Sequence, residues 1–135
     1  MYGYVACEND VYKTTDGGNN WSRCNRNILF ARNGFGIDFI NKDTGYYGNR
    51  SFEYQEQIFK TTNGGSNWIW NNLGGPSYIT GISMCNANTG YAVSTGIIYK
   101  TNDGSFDTFE VQRWFGVGSG MWDIIAINPD TVYIA

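Results

Sequence analysis

The sequence predicts an all-β protein: a β-propeller segment of about three four-stranded antiparallel blades. Two recurring phrases carry that prediction. The first, Tyr12-Lys13-Thr14-Thr15-Asp16-Gly17-Gly18-Asn19-Asn20-Trp21, returns as Phe59-Lys60-Thr61-Thr62-Asn63-Gly64-Gly65-Ser66-Asn67-Trp68. A looser copy runs from Tyr99-Lys100-Thr101-Asn102-Asp103-Gly104 to Phe109, with one residue inserted before the closing aromatic. The second phrase, Gly36-Ile37-Asp38-Phe39-Ile40-Asn41-Lys42-Asp43-Thr44-Gly45-Tyr46, returns from Gly81 to Tyr91 and from Asp123 to Tyr133. Tyr4, Tyr46, Tyr91 and Tyr133 mark the shared phase, at spacings of 42, 45 and 42 residues. Two phrases in one phase, at this period, mark a repeat protein whose unit is a four-stranded blade. The repeats span approximately 3–44, 45–89 and 90–131, and residues 1–135 form a single segment.

The elements follow in order from alternation and from β-branched and aromatic content, with no sustained helical periodicity anywhere. Strands are expected at Tyr4–Ala6 and Val11–Thr14, around a turn at Cys7–Asp10. Asp16–Asn19 is turn chemistry, and Trp21–Cys24 resumes as a strand. A loop from Asn25 to Phe35 leads to strands at Ile37–Ile40 and Gly45–Gly48, around the turn Asn41–Thr44. A long connection, Asn49–Gln57, precedes the strand Ile58–Thr61, whereas the third repeat has only Ser94-Thr95-Gly96 at that place. After Phe109–Gln112 comes a glycine-rich loop, Arg113–Gly120, and Val132–Ala135 is again a strand.

Composition narrows the chemistry. With 41% apolar and 17% aromatic residues in 135, the chain can build a core. It holds no apolar run long enough to span a membrane, and its first residues do not read as a signal peptide. A net charge of −3 without a basic cluster argues against nucleic acid as the main partner. Histidine is absent, which removes the commonest general base and metal ligand, so no cofactor and no metal are expected. Cys7, Cys24 and Cys85 lack metal-site spacing. Cys7 and Cys24 would sit on strands separated by another, near 10 Å at about 4.8 Å per step. That is too far for a disulfide, so free, buried thiols are expected.

The pattern Thr-x-Asp-x-Gly-x-x-Trp, with Thr14, Asp16, Gly18 and Trp21, resembles the Asp-box, or bacterial neuraminidase repeat. The second copy carries Thr61, Asn63, Gly65 and Trp68, and the third Thr101, Asp103 and Phe109. With Asn-x-Asp-Thr-Gly-Tyr in phase, the fuller form is similar to propellers of the photosystem II stability/assembly factor type and of secreted bacterial surface proteins. The physical reading of the motif is a turn: a short carboxylate or amide caps backbone N–H groups, and the aromatic packs beneath. Asn63 in place of Asp, and the lost second glycine of copy three, preserve the turn but not a catalytic or metal role.

Sialidases carry the same boxes, and that resemblance implies an arginine triad and a tyrosine nucleophile assisted by a glutamate. The segment that would carry the first arginine is missing, and Arg23, Arg26, Arg32, Arg50 and Arg113 do not fall in the family's pattern. The expectation is a non-catalytic module that binds a protein or glycan, extracellular or on a bacterial surface. A sialidase-like hydrolase and a self-assembling structural protein are the alternatives.

One inference places the binding surface. In an up-and-down blade successive turns fall at opposite ends, so the Asp-box turns and the Asn-x-Asp-Thr turns share one face. The irregular connections, Asn25–Phe35, Asn49–Gln57, Asn71–Tyr78 and Arg113–Gly120, share the other. Variable loops on a rigid scaffold carry binding, and arginine with aromatics is hot-spot composition. The chosen residues are Arg50, Tyr54, Arg113, Trp114 and Phe115, whereas Phe35 and Tyr78 are expected to pack between blades.

Three repeats fall short of the four to eight blades of a closed ring. The expectation is therefore that the rest of a longer chain, or further copies, complete it. Joining two copies unchanged would put one strand too many at each junction.

Overall fold

A computed structural model describes residues 1–7, 10–24, 32–50, 55–107, 109–113 and 120–135, without the side chains of residues 32, 33, 50, 110 and 113. Among these the fold is all-β. The first sheet orders β1 (Gly3–Cys7), β2 (Asp10–Thr14) and β3 (Ser22–Arg23). The second has β4 (Arg32–Phe39), β5 (Gly45–Arg50), β6 (Glu56–Thr61) and β7 (Ile69–Asn72). The third has β8 (Gly81–Met84), β9 (Gly90–Ser94), β10 (Ile97–Thr101) and β11 (Glu110–Arg113), and the fourth β12 (Ile124–Asn128) and β13 (Thr131–Ile134). Every pairing is antiparallel between neighbours in sequence, so each sheet is an up-and-down meander. These are the blades of a β-propeller segment, arranged in series without closing a ring.

The repeat phase becomes a register. Tyr4, Tyr46 and Tyr91 lie opposite Lys13, Lys60 and Lys100, and Gly3, Gly45 and Gly90 opposite Thr14, Thr61 and Thr101. In each sheet the residues on the two faces serve different neighbours. Val11, Cys24, Tyr47, Phe59 and Trp68 fill the seam between the first and second sheets. Tyr46, Ile58 and Ile79 meet Ile82, Ala92 and Tyr99 between the second and third, and Tyr91 and Val93 meet Ile124 between the third and fourth. Tyr46, Tyr47, Ile79 and Phe106 are wholly buried. Side chains of this size each contribute roughly 1.5–3 kcal/mol when removed from water, and that burial holds blade to blade.

Three expectations are corrected. The expected loop Asn25–Phe35 gives way to strand from Arg32, because Arg32 pairs with Arg50 across an irregularity in register. Gly34 permits it by passing directly over the Tyr47 ring, where a Cβ would lie 1.9 Å from the hydroxyl oxygen. The connection Asn49–Gln57 shrinks for the same reason: Asn49 and Arg50 extend β5, and Glu56 and Gln57 open β6. The three thiols are free, but only Cys24 is buried; Cys7, at the tip of the β1–β2 hairpin, is exposed. Around Cys24, burial pushes the thiol pKa up.

Candidate interaction surface

At one end of the sheets the repeat turns are built alike. The Thr14 hydroxyl donates to Asp16 Oδ1 at 2.8 Å and accepts from the Gly18 N–H at 2.9 Å. Asp16 in turn accepts from the Asn20 N–H and its side-chain amide, at 2.9 and 2.8 Å. These donors, the Asn20 N–H first, hold the Asp16 pKa down to about 2. In the second turn Thr61 bonds Asn63 at 3.1 Å and Gly65 N–H at 2.9 Å, and Asn63 Oδ1 accepts from Asn67 N–H at 2.8 Å. An amide oxygen replaces the carboxylate oxygen with no change of geometry. The third turn keeps the Thr101–Asp103 bond at 2.8 Å, but Asp103 now accepts from Ser105. Phe106, at φ 57°, turns inward and is fully buried against Tyr46, while Phe109 packs on the Tyr99 ring. Each acidic or amide side chain in these turns is engaged by the backbone it organises.

The two turn types do share one face, for Gly64 N–H donates to Asp43 O at 2.8 Å. On that face a second repeated device joins consecutive sheets. Tyr4 donates to Lys42 O at 2.6 Å, and Lys13 reaches Gly64 O at 3.4 Å. Tyr46 and Lys60 both donate to Gly104 O, each at 2.7 Å, and Tyr91 donates to Pro129 O at 2.6 Å. Lys13, Lys60 and Lys100 each stand 5.5–5.6 Å from the ring of the tyrosine opposite. Thus each sheet extends a tyrosine–lysine clasp onto the turns of the next. The sequence reading missed this role. Its signal was present, since Gly-Tyr and Lys-Thr recur in phase in both phrases.

Another recurrence lies nearer the inner strands. Asp38 Oδ2 accepts from Met84 N–H at 2.7 Å, and Ser83 Oγ accepts from Ala126 N–H at 3.0 Å. Burial raises the Asp38 pKa, partly offset by the N–H groups of Met84 and Phe39.

The opposite end carries the irregular connections. Of the sequence-chosen residues, Tyr54, Trp114 and Phe115 lie outside the described residues. Arg50 and Arg113 are placed by backbone only, at the ends of β5 and β11, where they lie opposite Arg32 and Ile97. All three arginine positions fall at this end. Phe35 and Tyr78 are here too, with ring centroids 5.9 Å apart and tilted by 59°. They pack on each other as expected between sheets, yet Phe35 remains 58% exposed.

A tyrosine–carboxylate pair, Tyr99 with Glu56, also exists, but the two are 2% and 0% exposed, between the second and third sheets. Gly75 packs on that pair so closely that a Cβ would overlap Glu56. Among the described residues no three metal-ligating side chains come together, and no helix is long and apolar enough to cross a membrane. No known protein family, curated protein or solved structure matches the chain.

Proposed function

We propose that the chain is a non-catalytic interaction module, an Asp-box β-propeller segment of a secreted or surface-attached bacterial protein. It binds a protein or glycan through the end that carries the irregular connections. The observation that carries this reading is the placement of Arg32, Arg50 and Arg113 by register at the same end as the exposed Phe35. Guanidinium groups and aromatic rings supply planar hydrogen bonding and apolar area at low entropic cost, which is what recognition surfaces use. The turn end, by contrast, spends its polar groups on its own backbone and on the neighbouring sheet. The resemblance to Asp-box and photosystem assembly-factor propellers supports the same class, since those repeats serve as scaffold.

The test is a glycan array together with pull-down from bacterial surface extracts, comparing the chain with Phe35→Ala, Arg50→Ala, Tyr54→Ala and Trp114→Ala. The expected result is loss of about tenfold or more in affinity for at least two of these, with an unchanged β-sheet circular dichroism spectrum. Retention of full binding in all four variants overturns the assignment of this end. Hydrolysis of a fluorogenic sialoside would instead favour the hydrolase reading.

A further inference from the structure

We propose that two copies of the 135-residue chain exchange strands, β13 of each replacing β1 of the other, and so close a six-bladed propeller. The observations lie at the two terminal sheets. The first sheet holds β1, β2 and β3, which by repeat phase are second, third and fourth strands. The fourth holds β12 and β13, which are first and second strands. Together they supply one complete blade and a duplicate second strand.

The duplicates are interchangeable. β1 reads Gly3-Tyr4-Val5-Ala6 and the β13 segment Val132-Tyr133-Ile134-Ala135, the same pattern at the same phase. In three sheets the second-strand tyrosine lies opposite the third-strand lysine. After exchange Tyr133 occupies that position opposite Lys13 of the other copy, and inherits the Lys42 carbonyl that Tyr4 holds now. Tyr133 is 65% exposed and Ile134 40%, so exchange covers apolar surface that the single chain leaves in water.

The clasps point the same way. Lys13 and Lys60 reach the left-handed glycine turns of the next sheet, but the two-stranded fourth sheet has no such turn to offer Lys100. The corresponding turn of the first sheet, at Gly17, has no sheet before it to supply a lysine. Exchange brings the two halves together, Lys100 of one copy onto Gly17 of the other. It also moves the Gly17 N–H from Met1 O, which it now reaches at 3.0 Å, to Asp130 O. Asp130 is the repeat equivalent of Asp43, which accepts from Gly64 N–H in the second sheet.

Blade number selects the dimer. Each copy brings two complete sheets, and each junction makes one more, so two copies make six blades, inside the four-to-eight range of closed rings. One copy closed on itself would make three and three copies nine. Closed two-fold pairing by exchange of an identical element is the least demanding route to a homodimer.

Sedimentation equilibrium of the chain from about 1 to about 100 μM tests the proposal, because assembly follows mass action. The expected result is a species of twice the 15.2 kDa chain mass. Val5→Cys with Tyr12→Cys, on a Cys7→Ser background, locks β1 to β2, since these positions are directly opposite. The oxidised protein is expected to be monomeric and to dimerise again on reduction. Removing residues 1–7 takes away the competing strand and should tighten dimerisation about tenfold or more, and Lys100→Met should weaken it. The proposal is overturned if the oxidised lock dimerises as well as the reduced protein. It is equally overturned if the chain lacking residues 1–7 stays monomeric at the highest concentration, which leaves the β13 edge to a strand of other origin. A mass that climbs past the dimer with concentration also overturns it, since it means open polymers rather than a closed ring.

Discussion

The turn at Thr14–Trp21 and the turn at Thr61–Trp68 have the same hydrogen bonds and different surroundings. Trp21 donates to Gly18 O at 3.1 Å across its own turn and stays 46% exposed. Trp68 is 7% exposed, edge-on to Phe39 and Tyr47 at 6.2 and 6.5 Å. Gly18 has only the Trp21 ring near it, at 3.9 Å from an added Cβ, whereas at Gly65 that atom would lie 2.6 Å from Cys24 Sγ. Local chemistry therefore makes the turn, and the sheet alongside decides how much the turn matters. A repeat protein draws its stability from the seams between units, so equal motifs carry unequal weight.

If that is right, the largest effect belongs to the aromatic. Trp68→Ala should cost about 3–5 kcal/mol, as for other buried aromatic truncations, and Trp21→Ala roughly 1 kcal/mol for its smaller buried area. Equal shifts in urea midpoint for the two variants would break the comparison. The glycines come next. Gly65→Ala should cost about 2–4 kcal/mol, from the left-handed conformation together with overpacking on Cys24. Gly18→Ala carries the conformational part alone, about 1–2 kcal/mol, and thermal melts of the pair would show the gap.

The clasp sets a smaller contrast. Lys60→Met removes a bond to Gly104 O and should lower stability by about 1 kcal/mol. Lys100→Met, lacking an acceptor turn on the fourth sheet, should leave the unfolding of the monomer unchanged. A loss at Lys100 equal to that at Lys60, in monomeric protein, would contradict the reading of the clasp.

The smallest effect is a dependence on acid. The Asp16 pKa is lowered from 3.8 to about 2 in the folded protein, so its contribution is complete above 3.8 and is lost as pH falls through about 2. Asn63, at the same place in the second turn, does not titrate. Melting temperatures across this window should therefore fall less steeply in Asp16→Asn than in the parent chain. Identical slopes would mean that the exposed carboxylate adds nothing to the turn.

Much of the fold was legible because its devices are local. Alternation reveals strands, the Thr-x-Asp/Asn-x-Gly spacing reveals the turns, and the shared phase of the two phrases reveals the four-strand unit. The sharing of one face by both turn types also followed from parity alone. The candidate surface was legible only as a composition of arginine and aromatics on irregular segments. Phe35 shows the limit: its packing on Tyr78 could be expected, its exposure could not, because exposure depends on how far the neighbouring sheet reaches.

What the sequence determined by itself was the unit and its period, since backbone hydrogen bonds within a blade join segments adjacent in the chain. Tertiary structure decided what spans units. It set which repeat tyrosine and lysine clasp which turn, which tryptophan is buried, and that Arg32 pairs with Arg50 inside an expected loop. Such contacts link residues about 40 positions apart, as from Tyr4 to Lys42 and from Lys60 to Gly104. The identity of each group is written in its own repeat, but its neighbour is chosen by the angle at which one sheet meets the next.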